Sequence, residues 1–541
     1  MSLSVQGSSL RRWPPRLLFA ALVLPAGLPA QADPPPPRRA ATVDTVIILR
    51  QDVFDSLEAG SWLPRLANDL HVTTRTGVVR NELLFRAGEP YDSARFAETA
   101  RNLRRLGIFR DVVVDTVRVD SALAARVITR DGWSTRLNLS FHSTGSQIAF
   151  TVGAAEDNLL GTATRVQAQY QQNPDRSAFQ LGFYRPRLIA RTLGVGATYR
   201  DLSDGRDGSV VLDAPFYSLE TKRGMALGAA FFSGRVLRFT GGESVPGDTL
   251  QERFALFRGE GAIAPRADPS GYLRVGLTAQ VQRSDFVAQS FVGAIPQTVT
   301  GALGPFVRLS RARYLLTRNF MSLGHSEDVD ISSTVGATAW LAPKAFGYPR
   351  AGLGPAIVAS TGFRLPGGFG IASAKASGLF SSAGLDSGSV ILTGTVALQP
   401  GARHLVLLHA DGGWQKNAAP GQEFDLGLGL GPRAFPAHAF TGDRAFFTTA
   451  EYRWTVTEEI LRIVALGVAG FADYGGAWYS GTPARTGTDF GLGLRIGSSR
   501  VPTEPPARID LAYRLANDVE PRGWVLVIQK GFPFQFLRYD L

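Results

Sequence analysis

Arg508-Ile509-Asp510-Leu511-Ala512-Tyr513-Arg514-Leu515 is the stretch that decides the fold. Successive side chains of a β-strand point to opposite faces. Ile509, Leu511, Tyr513 and Leu515 therefore share one face, and Arg508, Asp510, Ala512 and Arg514 share the other. A soluble sandwich needs an apolar inner face, which a repeat of arginine and aspartate denies it. The pattern fits a sheet whose apolar face meets lipid and whose other face lines a wet lumen.

The same alternation recurs upstream. Thr192–Arg200 sets Leu193, Val195, Ala197 and Tyr199 against Gly194, Gly196, Thr198 and Arg200. Phe490–Ile496 sets apolar residues against Gly491, Gly493 and Arg495. Trp414, Trp454, Trp478 and Trp524 lie near strand ends, where aromatic girdles form. In lipid every backbone group must be paired, so such a sheet closes. Residues 133–541 are accordingly read as a transmembrane antiparallel β-barrel of about sixteen strands, an even number. The fold class is mainly β.

Composition agrees. The 541 residues include 60 glycines and only three methionines, as suits strands and turns. There is no cysteine, which removes disulfides, thiol catalysis and cysteine-ligated zinc together. Residues 1–32 have the form of a secretory signal: Arg11, Arg12 and Arg16, a short apolar run over Leu17–Leu28, and Ala30-Gln31-Ala32. Cleavage there removes three arginines and no acid, taking the formal charge from +11 to +8. The arginines are scattered through strands and form no basic run, so no nucleic-acid partner is expected. Residues 33–41 form a proline-rich leader.

Residues 42–132 read as a small α+β module. Thr42–Leu49 is a β-branched strand and Thr76–Ala87 is helix-like. Ser93–Leu106 is an amphipathic helix with Phe96, Ala100 and Leu103 on one face, capped by Asp92 and stopped by Gly107. Strands come next at Asp111–Val119 and Ala125–Thr129. Leu103-Arg104-Arg105-Leu106-Gly107-Ile108-Phe109-Arg110-Asp111-Val112, followed by alternating valines, resembles a POTRA domain, the periplasmic module of outer-membrane assembly and secretion barrels. That resemblance implies that client chains are received by addition to a sheet edge.

Between two strand-like segments lies a long loop, about Gln415 to Asp443. It is too rich in Gly and Pro for regular structure, and it carries an isolated arginine in Arg433-Ala434-Phe435-Pro436. Loops of this length are usually functional or disordered. The barrel resembles the bacterial surface antigen superfamily that includes BamA, TamA and the two-partner secretion transporters. Three places carry the resemblance. Glu156-Asp157-Asn158-Leu159-Leu160-Gly161 is similar to the family's early-barrel turn, with Asn158 and Gly161 in left-handed conformations. Arg433-Ala434-Phe435-Pro436 is similar to the Arg-Gly-Phe/Tyr motif of a loop that folds into the lumen, with Ala434 where the family has glycine. Ala450–Trp454 and Phe471–Gly476 resemble the strands that receive it. The acids there alternate with aromatics, so Glu451 and Asp473 face inward, and the resemblance implies that they hold Arg433. The chain end, Gly523–Phe536, resembles a final strand with an aromatic assembly signal at Phe534 and Phe536.

The six histidines show no metal-ligand spacing, and no nucleophile or phosphate-loop motif stands in a strand–turn–helix context. No enzyme, metal or cofactor is therefore expected. The resemblance implies a bacterial outer-membrane location with the POTRA-like domain in the periplasm. It implies that the barrel inserts or translocates proteins, or lipid. The implied partners are outer-membrane lipids, unfolded client proteins or a secreted partner, and a periplasmic accessory protein. A porin-like channel or receptor with a plug module is the alternative, and a barrel-borne hydrolase a more distant one.

Overall fold

A computed structural model describes residues 41–54, 65, 68–69, 71–144, 147–189, 192–240, 243–244, 250–287, 298–428, 430–461, 463–501 and 505–530. The signal, nearly all of the leader, and Phe534 and Phe536 lie outside the described residues.

The N-terminal module runs β1 (Thr45–Gln51), α1 (Thr76–Asn81), α2 (Ser93–Arg105), β2 (Phe109–Val119) and β3 (Ala122–Asp131). Its sheet has the order β1-β3-β2, with β1 parallel and β2 antiparallel to the central strand. Asp92 caps α2 by accepting from the amides of Ala94 and Arg95. Phe96 and Leu103 of α2 pack with Val79, Phe85, Ile108, Phe109 and Val127 into one apolar core. The sequence pattern suggests a longer first helix, to Ala87. It stops at Asn81; Glu82 pairs with Arg187, and Leu83 and Phe85 pack into the core.

Most of the remaining described residues form a closed barrel of antiparallel strands. Its first half runs β4 (Thr135–Thr144), β5 (Gln147–Glu156), β6 (Arg165–Gln172), β7 (Ser177–Ile189), β8 (Leu193–Leu202), β9 (Gly205–Ala214) and β10 (Arg223–Arg235). After the small hairpin β11 (Phe239–Thr240) and β12 (Glu243–Ser244) come β13 (Gln251–Asp268), β14 (Gly271–Val287) and β15 (Thr298–Arg311). A second hairpin, β16 (Tyr314–Arg318) and β17 (Ser326–Asp330), leaves the wall before β18 (Ser333–Ala342), β19 (Gly352–Leu365), β20 (Gly368–Ser381), β21 (Gly384–Gly401) and β22 (His404–Lys416). The long loop holds β23 (Phe424–Leu426) and β24 (Phe440–Gly442). The wall ends with β25 (Arg444–Ile460), β26 (Val464–Trp478), β27 (Thr486–Ser498), β28 (Ala507–Arg514) and β29 (Gly523–Lys530), which lies beside β4.

The wall thus has 20 strands among the described residues, where the sequence reading expected about sixteen. The lower figure assumed long connections. Instead, β8 and β9, β13 and β14, β19 and β20, and β21 and β22 are each joined by two residues, so the chain is spent on strands.

Alternation sorts the wall. On β28, Leu511 points out while Arg508, Asp510 and Ala512 are buried within. Phe490, Leu492 and Leu494 are exposed on the outside of β27, with Arg495 buried inside. Trp414, Trp478 and Trp524 lie toward the end remote from the module, and Trp454 nearer the module end. No helix among the described residues is long and apolar enough to cross a membrane.

A buried arginine network as the candidate functional site

Arg433 is fully buried. The loop that carries it leaves β22, returns at β25 and folds into the lumen rather than standing clear of the barrel. Gly427 (φ +132°) and Gly431 (φ +81°) take conformations open chiefly to glycine and make the return possible. The pairing of β23 with β24 closes the loop base, so this stretch is not wholly irregular as its composition implies.

The guanidinium then meets three carboxylates. Arg433 Nε and Nη2 donate to the two oxygens of Asp473 at 2.6 and 3.1 Å, a bidentate pair that fixes direction as well as charge. Nη1 donates to Asp510 at 2.8 Å and to Glu451 at 3.3 Å. The plane lies over the Phe471 ring, 3.5 Å from its centroid. Ala434, Phe435 and Pro436 fasten the loop just beyond the arginine. The Ala434 amide donates to Asp489 at 3.0 Å, and its carbonyl accepts from Arg514 at 3.0 Å. Phe435 is buried against Phe440, the two ring centroids 5.1 Å apart. The Pro436 carbonyl accepts from Ala439. Ala434 has no positive φ and is fully buried beside Phe471, Ala512, Val525 and Val527. A methyl group is accommodated there without strain, which answers why alanine can stand in this position.

The receiving wall is more heavily charged than two acids. Glu451 also accepts from Arg453 at 2.5 Å and from Arg495 at 2.8 Å. Arg495 donates to Asp510 at 2.5 Å, and Arg508 donates to Gln529 beside it. Four arginines (433, 453, 495, 508) and four acids (451, 473, 489, 510) lie together in a region at most 3% exposed. A buried charge without a partner is costly, so a cluster this dense needs both signs side by side. Asp489 and Asp510 were not singled out as site residues from sequence. The signal was available: both sit at inward positions of alternating strands, directly across from or diagonal to Asp473 and Arg495.

A second insertion reaches the same network from the other end. The β16–β17 hairpin packs Phe320, Val329 and Ile331 against lumenal Phe369, Ala397, Leu405 and Leu407. Its Phe320 carbonyl accepts from Arg453 Nη1 at 3.1 Å. Asp328 on the same hairpin accepts two bonds from Arg104 of α2, and Arg101 lies over the Tyr314 ring. One carboxylate, Glu451, therefore lies two contacts from the module-side hairpin and one from the far-side loop. Sequence reading missed this hairpin altogether.

The early-barrel turn joins module to wall. Asn158 Nδ2 donates to Thr74 Oγ1 at 2.8 Å, and its side-chain oxygen accepts from the Ala163 amide. Gly161 (φ +70°) accepts from the Arg75 amide, and a Cβ on it would lie 2.7 Å from the Thr73 carbonyl. The expected left-handed conformation holds for Gly161 but not for Asn158, whose φ is −133°; Leu160 and Ala163 take it instead. Asn158 serves through its side chain. Thr74 in turn donates from its amide and hydroxyl to Asp131, which burial pushes up to about 6.

At the far mouth, His438 is held between Asp425 (2.5 Å) and Asp175 (2.7 Å) and stacked on Phe239. The two carboxylates outweigh burial and raise it to about 9. It ties the long loop to two neighbouring outer connections.

One wall also brings a hydroxyl, an imidazole and a carboxylate together, an arrangement that spacing along the chain did not reveal. Thr395 Oγ1 lies 2.7 Å from His409 Nδ1, and Asp411 Oδ2 lies 2.8 Å from Nε2. His409 and Asp411 are two apart on β22, and Thr395 is the register partner of His409 on β21, which is why spacing along the chain concealed the trio. The imidazole and carboxylate are buried, and the Thr395–His409 bond ties β21 to β22. No group of three metal-ligating side chains occurs among the described residues.

No protein-family model matches the chain. A curated relative, the outer membrane protein assembly factor BamA of Neorickettsia risticii, is 25% identical over 260 residues, covering 42% of this chain and 34% of the relative. The chain thus spans about a third of that relative's length. Among solved structures, CdiB from Escherichia coli covers 91% of this chain and 77% of its own at 9% identity and a TM-score of 0.48. BamA from Haemophilus ducreyi lacking POTRA domains 1–3 covers 91% and 84% at 12% identity and a TM-score of 0.35. The curated likeness and the apolar outer wall together support an outer-membrane location. By its sequence, the chain resembles the BamA/TamA-like outer-membrane assembly-factor superfamily.

Proposed function

We propose that this barrel inserts or translocates proteins, or lipid, at the outer membrane without acting as an enzyme. The N-terminal module has the strand–helix–helix–strand–strand order of a POTRA domain, and in this reading it is periplasmic. Its clients are unfolded proteins or a secreted partner, received by pairing with an edge of the β1-β3-β2 sheet. A periplasmic accessory protein would deliver them. β2 is such an edge, with Val113 and Val119 exposed on it.

The observation that carries the reading is the buried contact of Arg433 with Asp473, Asp510 and Glu451. A loop held in the lumen by buried ion pairs fills space that an open channel would leave free, which favours an assembly barrel over a wide pore. We assign that loop the role of a lock on the β25–β28 wall, beside the place where β29 meets β4. The test is depletion in the native host followed by an outer-membrane proteome and lipid assay. Loss of a subset of outer-membrane proteins or of lipid asymmetry is expected. No change in either would remove the assembly reading.

A further inference from the structure

The outer surface of the barrel is not uniformly convex. Across β9, β10, β13, β14, β15, β18 and β19 it carries a hollow of about 1260 Å³. Met225, Ile263, Leu277 and Ile357 form its walls, and Gly261 lies on its floor, where an added Cβ would touch nothing within 4 Å. The hollow faces away from the lumen. Met225, Ile263 and Leu277 are exposed, while the alternate positions Glu260 and Arg308 form an ion pair inside. Ligand pockets usually measure about 300–1,000 Å³, so this one exceeds the needs of a compact solute and suits a two-chained lipid.

Among the described residues a single cation borders it. Arg223 is the first residue of β10 and lines the hollow. Its side chain has no hydrogen bond, ion pair or ring contact with the described residues. It stands just after the turn on which the module docks, where Asn102 donates to the Tyr217 carbonyl and Glu98 accepts from the Leu219 amide. Arg223 therefore lies at the module-side interface, with the apolar hollow running from it into the wall.

We propose that this hollow is a phospholipid site of the module-side leaflet, with acyl chains over Gly261 and the phosphate on Arg223. The proposal rests on the outer-membrane reading above. Charge and depth select the occupant. The hollow opens to the bilayer, so its occupant is drawn from the membrane. The cation sits on the module side, so a lipid with its anionic group in the far leaflet would place its charge at the wrong end. An unpaired arginine at an interface gains about 1 kcal/mol from an anionic lipid surface, about fivefold in retention.

The test is native mass spectrometry of the full chain released from bilayer nanodiscs containing phosphatidylglycerol, with lipopolysaccharide in a parallel arm. The wild type is expected to retain one phosphatidylglycerol. Arg223→Ala should lower retention about fivefold, and Gly261→Leu should displace the acyl chains while leaving the fold intact. Equal retention by all three proteins overturns the proposal, as does retention of lipopolysaccharide in place of phosphatidylglycerol. Failure of the chain to enter nanodiscs defeats the membrane reading itself and is distinguishable from loss of the lipid alone.

Discussion

All three guanidinium nitrogens of Arg433 donate to carboxylates in a fully buried region, so the energetics are those of a buried pair. Removing one partner strands the others, at about 3–5 kcal/mol. Arg433→Ala is expected to lower the temperature at which the folded band converts on unheated gels. Asp473→Ala should do the same, and the double variant should lose much less than the sum, because the two act as one unit. Arg433→Lys should not rescue, since an ammonium cannot reproduce the bidentate pair with Asp473. Additive effects would separate the two residues. His438 behaves differently because it titrates. Its value is raised from 6.5 in an unfolded chain to about 9, so its stabilisation is complete below about 6.5 and is lost as pH rises through about 9. The shift corresponds to something on the order of 3 kcal/mol. Thermal stability measured between pH 7 and pH 10 should fall in the wild type and stay flatter in His438→Ala; equal slopes would detach the histidine from loop anchoring.

At the scale of elements, two insertions enter one lumen from opposite ends and meet at the Arg453–Glu451–Arg433 line. The β16–β17 hairpin is fixed by the cluster around Phe320 and Phe369 and by Arg104 of the module. The loop is fixed by the network. Both reach the β25–β28 sector, the hairpin through Arg453 and the loop through Glu451, Asp473 and Asp510, so the lumen beside that sector is occupied. Replacing residues 314–330 by a short turn is expected to raise single-channel conductance in planar bilayers well above the wild type. Conductance that stays unchanged would mean that the hairpin does not obstruct the lumen.

For the molecule as a whole, the orientation of the apolar rows is the property that matters. Leu492 is 72% exposed on the outside of β27. In lipid, Leu492→Arg should cost about 2–4 kcal/mol near the midplane. In water the same exposed change would be nearly silent. Reversible unfolding in vesicles distinguishes the two, and a silent substitution would argue against a lipid-facing wall. The trade of loop length for strands, which gave 20 strands in place of about sixteen, also belongs to this scale.

The alternation of Arg508–Leu515 was enough to orient the wall, because a period of two acts locally and leaves no other face for the side chains. The amphipathic pattern of Ser93–Arg105 and the Asp92 cap were equally local. The inward direction of Glu451 and Asp473 was legible from their aromatic neighbours. Other features depended on pairs far apart in the chain. The contact of Arg433 with Asp510 joins residues 77 apart, and that of Arg104 with Asp328 joins residues 224 apart. The trio of Thr395, His409 and Asp411 needed the register of β21 on β22. Sequence by itself determined which side chains face in and which face out, since adjacent peptide units decide that. Only the tertiary structure decided how many strands close the ring and which inward charges meet, because closure and charge balance are properties of the whole circumference.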